Sequence, residues 1–131
     1  MDCIDVACAL IVESGKILAC QRGVDSDHPN EWEFPGGKVE AGETANECIV
    51  REINEELGII VKVDRRLEPV EHDYGFKHIR LIPFICRVEK GVPVAYEHKT
   101  IKWHPVNDFD NLHWSTADHK LFYRNKTLFK W

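Results

Sequence analysis

No run in the 131-residue sequence approaches the ~20 apolar residues a membrane helix needs, and no basic stretch followed by a long apolar one opens it. Neither a membrane span nor a secretory leader is expected. The five cysteines, Cys3, Cys8, Cys20, Cys48 and Cys86, contain no CxxC pair, and their odd number and scatter fit neither a disulfide framework nor a zinc knuckle. Free, buried thiols in a reducing cytoplasm are the expectation. Basic charge is in the minority: 17 Lys and Arg face 22 Asp and Glu, and a net charge of −5 opposes tracking along a long nucleic acid by counterion release. Repeats, linkers and low-complexity stretches are also missing. With 44% hydrophobic residues, residues 1–131 read as one domain around one core. Oligomeric state is not legible.

What is present is a succession of short periodic elements. Cys3 to Val12 is apolar and β-branched, and Ser14-Gly15-Lys16 supplies a turn before a second run, Ile17 to Gln21. Turn formers fill residues 25–30, and Pro35-Gly36-Gly37 interrupts regular structure, so a loop is expected there. Thr44 and Glu47 fit a capping box, and Ala45, Cys48, Ile49, Ile53 and Leu57 fall at helical spacing before Gly58 stops the helix. Residues 59–63, 67–72, 78–88 and 100–106 read as strands. Ser115 or Thr116 caps a last helix through Tyr123. This order predicts an α/β fold, an α/β/α sandwich with a central mixed β-sheet.

The helix at 44–57 has a second face. Glu52, Glu55 and Glu56 stand at i, i+3 and i+4 and project from one side, where each like-charged pair costs a few tenths of a kcal/mol, about 0.2–0.5, on an isolated helix. A divalent cation relieves that repulsion. Oxygen-only ligands suit Mg2+, with Mn2+ as the other choice, because these hard ions keep several waters and recruit phosphate oxygens. A solvated acidic helix face is the plainer alternative.

The surrounding residues favour the cation. Gly37-Lys38-Val39-Glu40-Ala41-Gly42-Glu43, seven further residues, and then Arg51-Glu52-Ile53-Asn54-Glu55-Glu56-Leu57-Gly58-Ile59 resemble the Nudix box at every specified position. Such a match at one fixed start arises by chance roughly once in a billion at average residue frequencies. The preceding Glu33-Phe34-Pro35-Gly36-Gly37-Lys38 resembles the MutT type, the nucleoside triphosphate pyrophosphohydrolases. The resemblance implies a Nudix fold and magnesium-dependent cleavage of a nucleoside triphosphate to monophosphate and pyrophosphate.

It also implies roles. Gly37 offers a carbonyl to the metal, and Glu52, Glu55 and Glu56 are its ligands, with Glu55 or Glu52 also taking a proton from the attacking water. Arg51 holds a carboxylate by a forked ion pair, and Glu43 either braces the loop or complements the helix N-terminus. Glu97, six residues before Trp103, resembles an additional carboxylate that serves as metal ligand or base. Arg22 resembles a phosphate-contacting arginine, and Lys38 and Lys77 add charge nearby. The seven histidines carry no metal-binding interval and read as structural or surface residues.

Substrate choice rests on less. Asp118 takes the place where relatives acting on oxidised guanine carry asparagine and where relatives acting on CTP or modified cytosine triphosphates carry aspartate. An ionised carboxylate accepts from the N1 and N2 donors of guanine, whereas cytosine requires a protonated Asp118 or an intervening water. A helix N-cap is its plainer role. Trp32, Phe34, Phe76 and Trp114 are candidates for a base-stacking slot or for the core. The implied substrate is a small nucleotide, 8-oxo-dGTP first and CTP or 5-methyl-dCTP as the alternative. A catalytically silent Nudix-like module that binds nucleic acid is the rival from another class; it has no need of the intact glutamates.

Overall fold

A computed structural model describes residues 3–128 and 131. Its central strand, β1 (Cys3–Glu13), is buried on both faces from Ala7 to Val12, which is why this run is continuously apolar rather than alternating. Ala7, Ala9 and Ile11 face a core shared with α1 (Ala45–Leu57), and Cys8, Leu10 and Val12 face a second core shared with α2 (Thr116–Asn125). The result is the expected α/β/α sandwich. β1 lies parallel to β7 (His78–Lys90), in register from Cys3 opposite His78 to Ile11 opposite Cys86. β5 (Ile60–Arg66) and β6 (Val70–Asp73) add antiparallel to β7, and β8 (Thr100–Pro105) adds antiparallel to β2 (Lys16–Gln21).

The sheet parts where the Pro-Gly-Gly stretch enters. β1 and β2 pair at their hairpin end, Val12 with Ile17 and Glu13 with Lys16, across a Ser14-Gly15 turn with φ of 49° and 75°. Further from the turn, β3 (Trp32–Glu33) pairs with Cys20 and Gln21 of β2, while β4 (Gly36–Lys38) pairs with Val6 to Cys8 of β1. Between them the Pro35 carbonyl accepts from the Ala9 N–H at 2.9 Å. The region expected to be loop thus contains two short strands, because it satisfies backbone groups that the diverging β1 and β2 leave open.

Other boundaries moved for identifiable reasons. The strand expected from Leu67 begins at Val70: Pro69 has no N–H, and the Glu68 N–H is taken at 2.9 Å by the fully buried Asn125 side chain. The strand expected through Val106 stops at Pro105, and a 3-10 helix, Val106–Asn111, follows. Helix α1 carries the expected capping box, with Thr44 and Glu47 bonded reciprocally, and ends at left-handed Gly58. Four of the five cysteines are buried free thiols, whereas Cys3 is exposed, contrary to expectation. Among the described residues, no helix is long and apolar enough to cross a membrane.

Candidate active site

The buried stripe of α1, Cys48, Ile49, Ile53 and Leu57, docks the helix on the sheet and turns its acidic face to β4 and the β7–β8 loop. There Arg51 is the organising cation. Its Nη2 and Nε donate to Glu43 at 2.7 and 3.1 Å, and its Nη1 reaches Glu52 at 2.9 Å and Glu55 at 3.2 Å. Hydrogen bonds from Arg51 and from the Glu40 N–H hold the Glu43 carboxyl down at about 2. Of the two roles open for Glu43, the brace between loop and helix is the one observed.

The glycines permit close approach. A Cβ on Gly37 would fall on the Glu52 carboxylate, and one on Gly36 would run into the Ala7 and Cys8 backbone. Glu52 therefore lies directly against β4. Beside it Glu56 is buried, with Oε1 3.8 Å from His98 Nε2 and Oε2 without a hydrogen-bond partner among the described residues. Burial, then the neighbouring Glu52, Glu97 and Glu33, pushes its carboxyl up to about 10. A buried acid among three other acids marks a place short of positive charge. Glu52, Glu56 and Glu97 offer only oxygens, a donor set that fits Mg2+ or Mn2+.

Glu52, Glu56 and Glu97 line one cleft of about 280 Å3 with Gly36, Glu33, His98 and Arg22. Backbone bonds from Val94 to Leu57 and from Tyr96 to Glu56 fasten the loop that carries Glu97 to the end of α1. Glu55 is exposed, pairs with Arg51 at 3.2 Å and is not among the residues that line the cleft. A second cavity of about 200 Å3, lined by Arg22, His28, Phe34, Gly37, Tyr74, Lys77 and Asp118 among others, shares Arg22, Glu33 and Gly36 with the first. Arg22 stands at the junction. It is pinned by Glu33 and Asp27, both at 2.7 Å, and its buried Nε has no partner among the described residues. Lys77 reaches the same Asp27 at 3.3 Å.

Asp118 is buried at the floor of the second cavity. Its Oδ1 accepts from the Phe34 N–H at 3.0 Å, and its Oδ2 accepts from the Ser115 hydroxyl. Burial and the nearby Glu33 raise its carboxyl to about 7, against these hydrogen bonds and Arg22. The N-cap of α2 is Ser115, whose side chain accepts from the Asp118 N–H, so the N-cap alternative for Asp118 is corrected.

The aromatic slot also needs correction. Trp114 packs in the core, its ring 4.4 Å from Phe109 and 4.9 Å from Phe34, and Phe34 alone of the four candidates lines the cavity. Phe76 is exposed, and Trp32 is half-buried beneath Lys102. Lys38 is exposed on β4 and lines neither cavity. Sequence reasoning missed Glu33, His98, His28 and Tyr74. His98 Nε2 faces Glu33 Oε2 at 3.0 Å, and although burial opposes the Glu33 charge, His98 and Arg22 hold its carboxyl below the ordinary range. Its adjacency to Glu97 was the available signal. For Tyr74 the sequence held none, because it meets α2 only in the fold, where its hydroxyl accepts from the Ala117 N–H at 3.4 Å.

Comparison with known proteins bears on this arrangement. The family model described as NUDIX domain matches residues 1–126. The chain is 37% identical over 103 residues to the CTP pyrophosphohydrolase of Escherichia coli K12, covering 79% of this chain and 76% of that protein. It is 34% identical over 91 residues to the 8-oxo-dGTP diphosphatase of the same strain, covering 70% of each. The solution structure of a MutT protein from methicillin-resistant Staphylococcus aureus 252 superimposes with a TM-score of 0.77 at 38% identity, covering 98% of both chains.

Proposed function

Because the chain belongs to the Nudix hydrolase family, we propose that it converts a nucleoside triphosphate to the monophosphate and pyrophosphate with magnesium, as one cytoplasmic domain acting on a small nucleotide. The observation that carries this reading is the pair of cavities meeting at Arg22: one is lined by carboxylates, the other is sized and polarised for a base. A triphosphate bridging them passes the guanidinium.

Glu52, Glu56, Glu97 and the Gly37 carbonyl would hold the ion, with Glu55, which shares the Arg51 guanidinium with Glu52, as a further ligand. When bound there, magnesium withdraws charge from the phosphate oxygens and lowers the pKa of water for in-line attack on phosphorus. Glu52 or Glu55 accepts the proton of that water. Arg51 keeps Glu52 and Glu55 in place, and Arg22 clamps a phosphate oxygen. Lys77 supplies further positive charge at the cavity wall, while Phe34 and Tyr74 border the base. Lys38, exposed on the adjoining strand, has no contact with either cavity to support its part in substrate binding.

Asp118 reads the base edge. With a carboxyl near 7 it serves two edges: ionised, it accepts from the N1–H and N2–H of a guanine such as 8-oxo-dGTP; protonated, it donates to N3 and accepts from N4 of cytosine. The guanine reading stands first, and the poised carboxyl supports CTP or 5-methyl-dCTP as the second. Turnover of 8-oxo-dGTP, dGTP, CTP and 5-methyl-dCTP with magnesium, products separated, tests the proposal. Pyrophosphate release from one of them is expected. Release of single phosphates, or no turnover with tight binding of oligonucleotides, would overturn it in favour of another phosphohydrolase or the silent nucleic-acid module.

A further inference from the structure

Away from both cavities, the strand ends of β1, β6 and β7 bring three different donor types together. Side chains alternate along a strand, so Cys3 lies on the same face of β1 as Ala7 and Ala9, and His78 lies beside it in register on β7. Glu71 of β6 reaches the same place from the far side of β7, since its partner Arg80 pairs in turn with Asp5 of β1. Helix α1 covers this face further along, but at the strand ends Cys3 and Glu71 are exposed and His78 is partly open. Glu71 Oε1 is 3.7 Å from Cys3 Sγ and 3.3 Å from His78 Nε2, and the three donor atoms all lie within 4.8 Å of one another.

We propose that Cys3, Glu71 and His78 form a second cation site, for zinc or a zinc-like divalent ion, with its fourth position open to water. Metal–ligand bonds of about 2.0–2.3 Å in tetrahedral array set donor atoms roughly 3.3–3.8 Å apart, which the two Glu71 distances already meet. The donor chemistry separates this site from the one on α1. A thiolate and an imidazole select zinc-like ions over magnesium, whereas the α1 carboxylates select the hard ion. Binding displaces the Cys3 thiol proton to solvent and ties three strands across one ion. Those strands also wall the base cavity through Val6 and Ile79, whose side chains lie on the opposite face.

Cobalt(II) is the probe for the purified, chelator-stripped chain, because a thiolate ligand gives a near-ultraviolet sulfur-to-cobalt charge-transfer band that an oxygen-only site cannot give. The expected result is a band saturating at one cobalt per chain, lost in Cys3→Ser, with affinity at least tenfold weaker in His78→Gln. Retention in Glu52→Gln separates the band from the cleft on α1. Excess zinc should bleach it and excess magnesium should not. No band at saturating cobalt, a band that survives Cys3→Ser, or bleaching by magnesium overturns the proposal.

Discussion

The two cavities that meet at Arg22 are built differently. The carboxylate cleft takes Glu33, Gly36, Glu52 and Glu56 from one stretch, with Arg22, Gly23 and Ser26 from the turn after β2 and Glu97 and His98 from a loop tied to the end of the same helix. The second cavity shares the Glu33–Gly37 stretch and adds to it parts that meet only in the fold: β1, His28 of the turn after β2, the β6–β7 turn, β7 and the entry to α2, with no residue from α1. On the function proposed, the carboxylates for the shared chemistry sit mainly on one helix and the strands just before it, and the surroundings of the base are distributed along the chain. It follows that damage to the first cavity should be blind to the base and damage to the second should not.

The largest effect should come from the local cavity. Glu52→Gln should lower kcat/KM by about a hundredfold or more, roughly 2.7 kcal/mol, and Glu55→Gln by at least about tenfold. Both losses should be equal across guanine and cytosine nucleotides; steady-state kinetics with the four triphosphates show whether they are. A base-dependent loss in Glu52→Gln would erase the distinction between the cavities.

Asp118→Ala should act in the opposite manner, raising KM for the preferred nucleotide by the equivalent of about 1.5–3 kcal/mol while kcat changes little. It also strands the Phe34 N–H, so a lower melting temperature is expected alongside. Asp118→Asn preserves that acceptor and isolates the base-reading role. Its substrate ranking should shift towards edges presenting mixed donors and acceptors, as relative kcat/KM values will reveal.

A pH series sharpens the same contrast. A guanine edge needs the ionised carboxylate, so its KM should rise as pH falls through about 7. A cytosine edge that uses the proton should show KM rising as pH climbs through the same value. Each limb should approach about tenfold per pH unit and vanish in Asp118→Asn. Identical profiles for both bases would remove Asp118 from base reading.

The smallest signal is thermal. Magnesium at about ten times its Kd should stabilise the chain by roughly 1.4 kcal/mol, a rise of about 5 °C for a domain of this size. Calorimetry should find the rise abolished in Glu52→Gln and intact in Asp118→Asn.

The same division explains what could be read before folding. The spacing of Glu52, Glu55 and Glu56, the cap at Thr44 and the stop at Gly58 are short-range facts, and the helix they describe is the one observed. β1 was likewise legible as an apolar, β-branched run; its burial on both faces, from Ala7 to Val12, emerged with the fold. The strands at Trp32 and Gly36 were not, since their partners are the edges freed where β1 and β2 diverge. The start of β6 depended on Asn125, far along the chain. Asp118 was singled out by position, and its two hydrogen bonds and raised carboxyl arise from burial against Phe34, Ser115 and Glu33. Tyr74 and His28 came to line the second cavity only through such distant encounters.

The parallel register of β1 on β7 has a consequence for how the chain acquires its shape. Cys3 finds His78, and Ile11 finds Cys86, only after a long segment containing α1, β5 and β6 has been gathered between them. Closing so large a loop is entropically slow, whereas the capped α1 and the Ser14-Gly15 hairpin rely on neighbours. In refolding from denaturant, helical circular dichroism should therefore recover ahead of nucleotide binding, since Val6 and Ile79, which wall the second cavity, become neighbours only once that loop has closed.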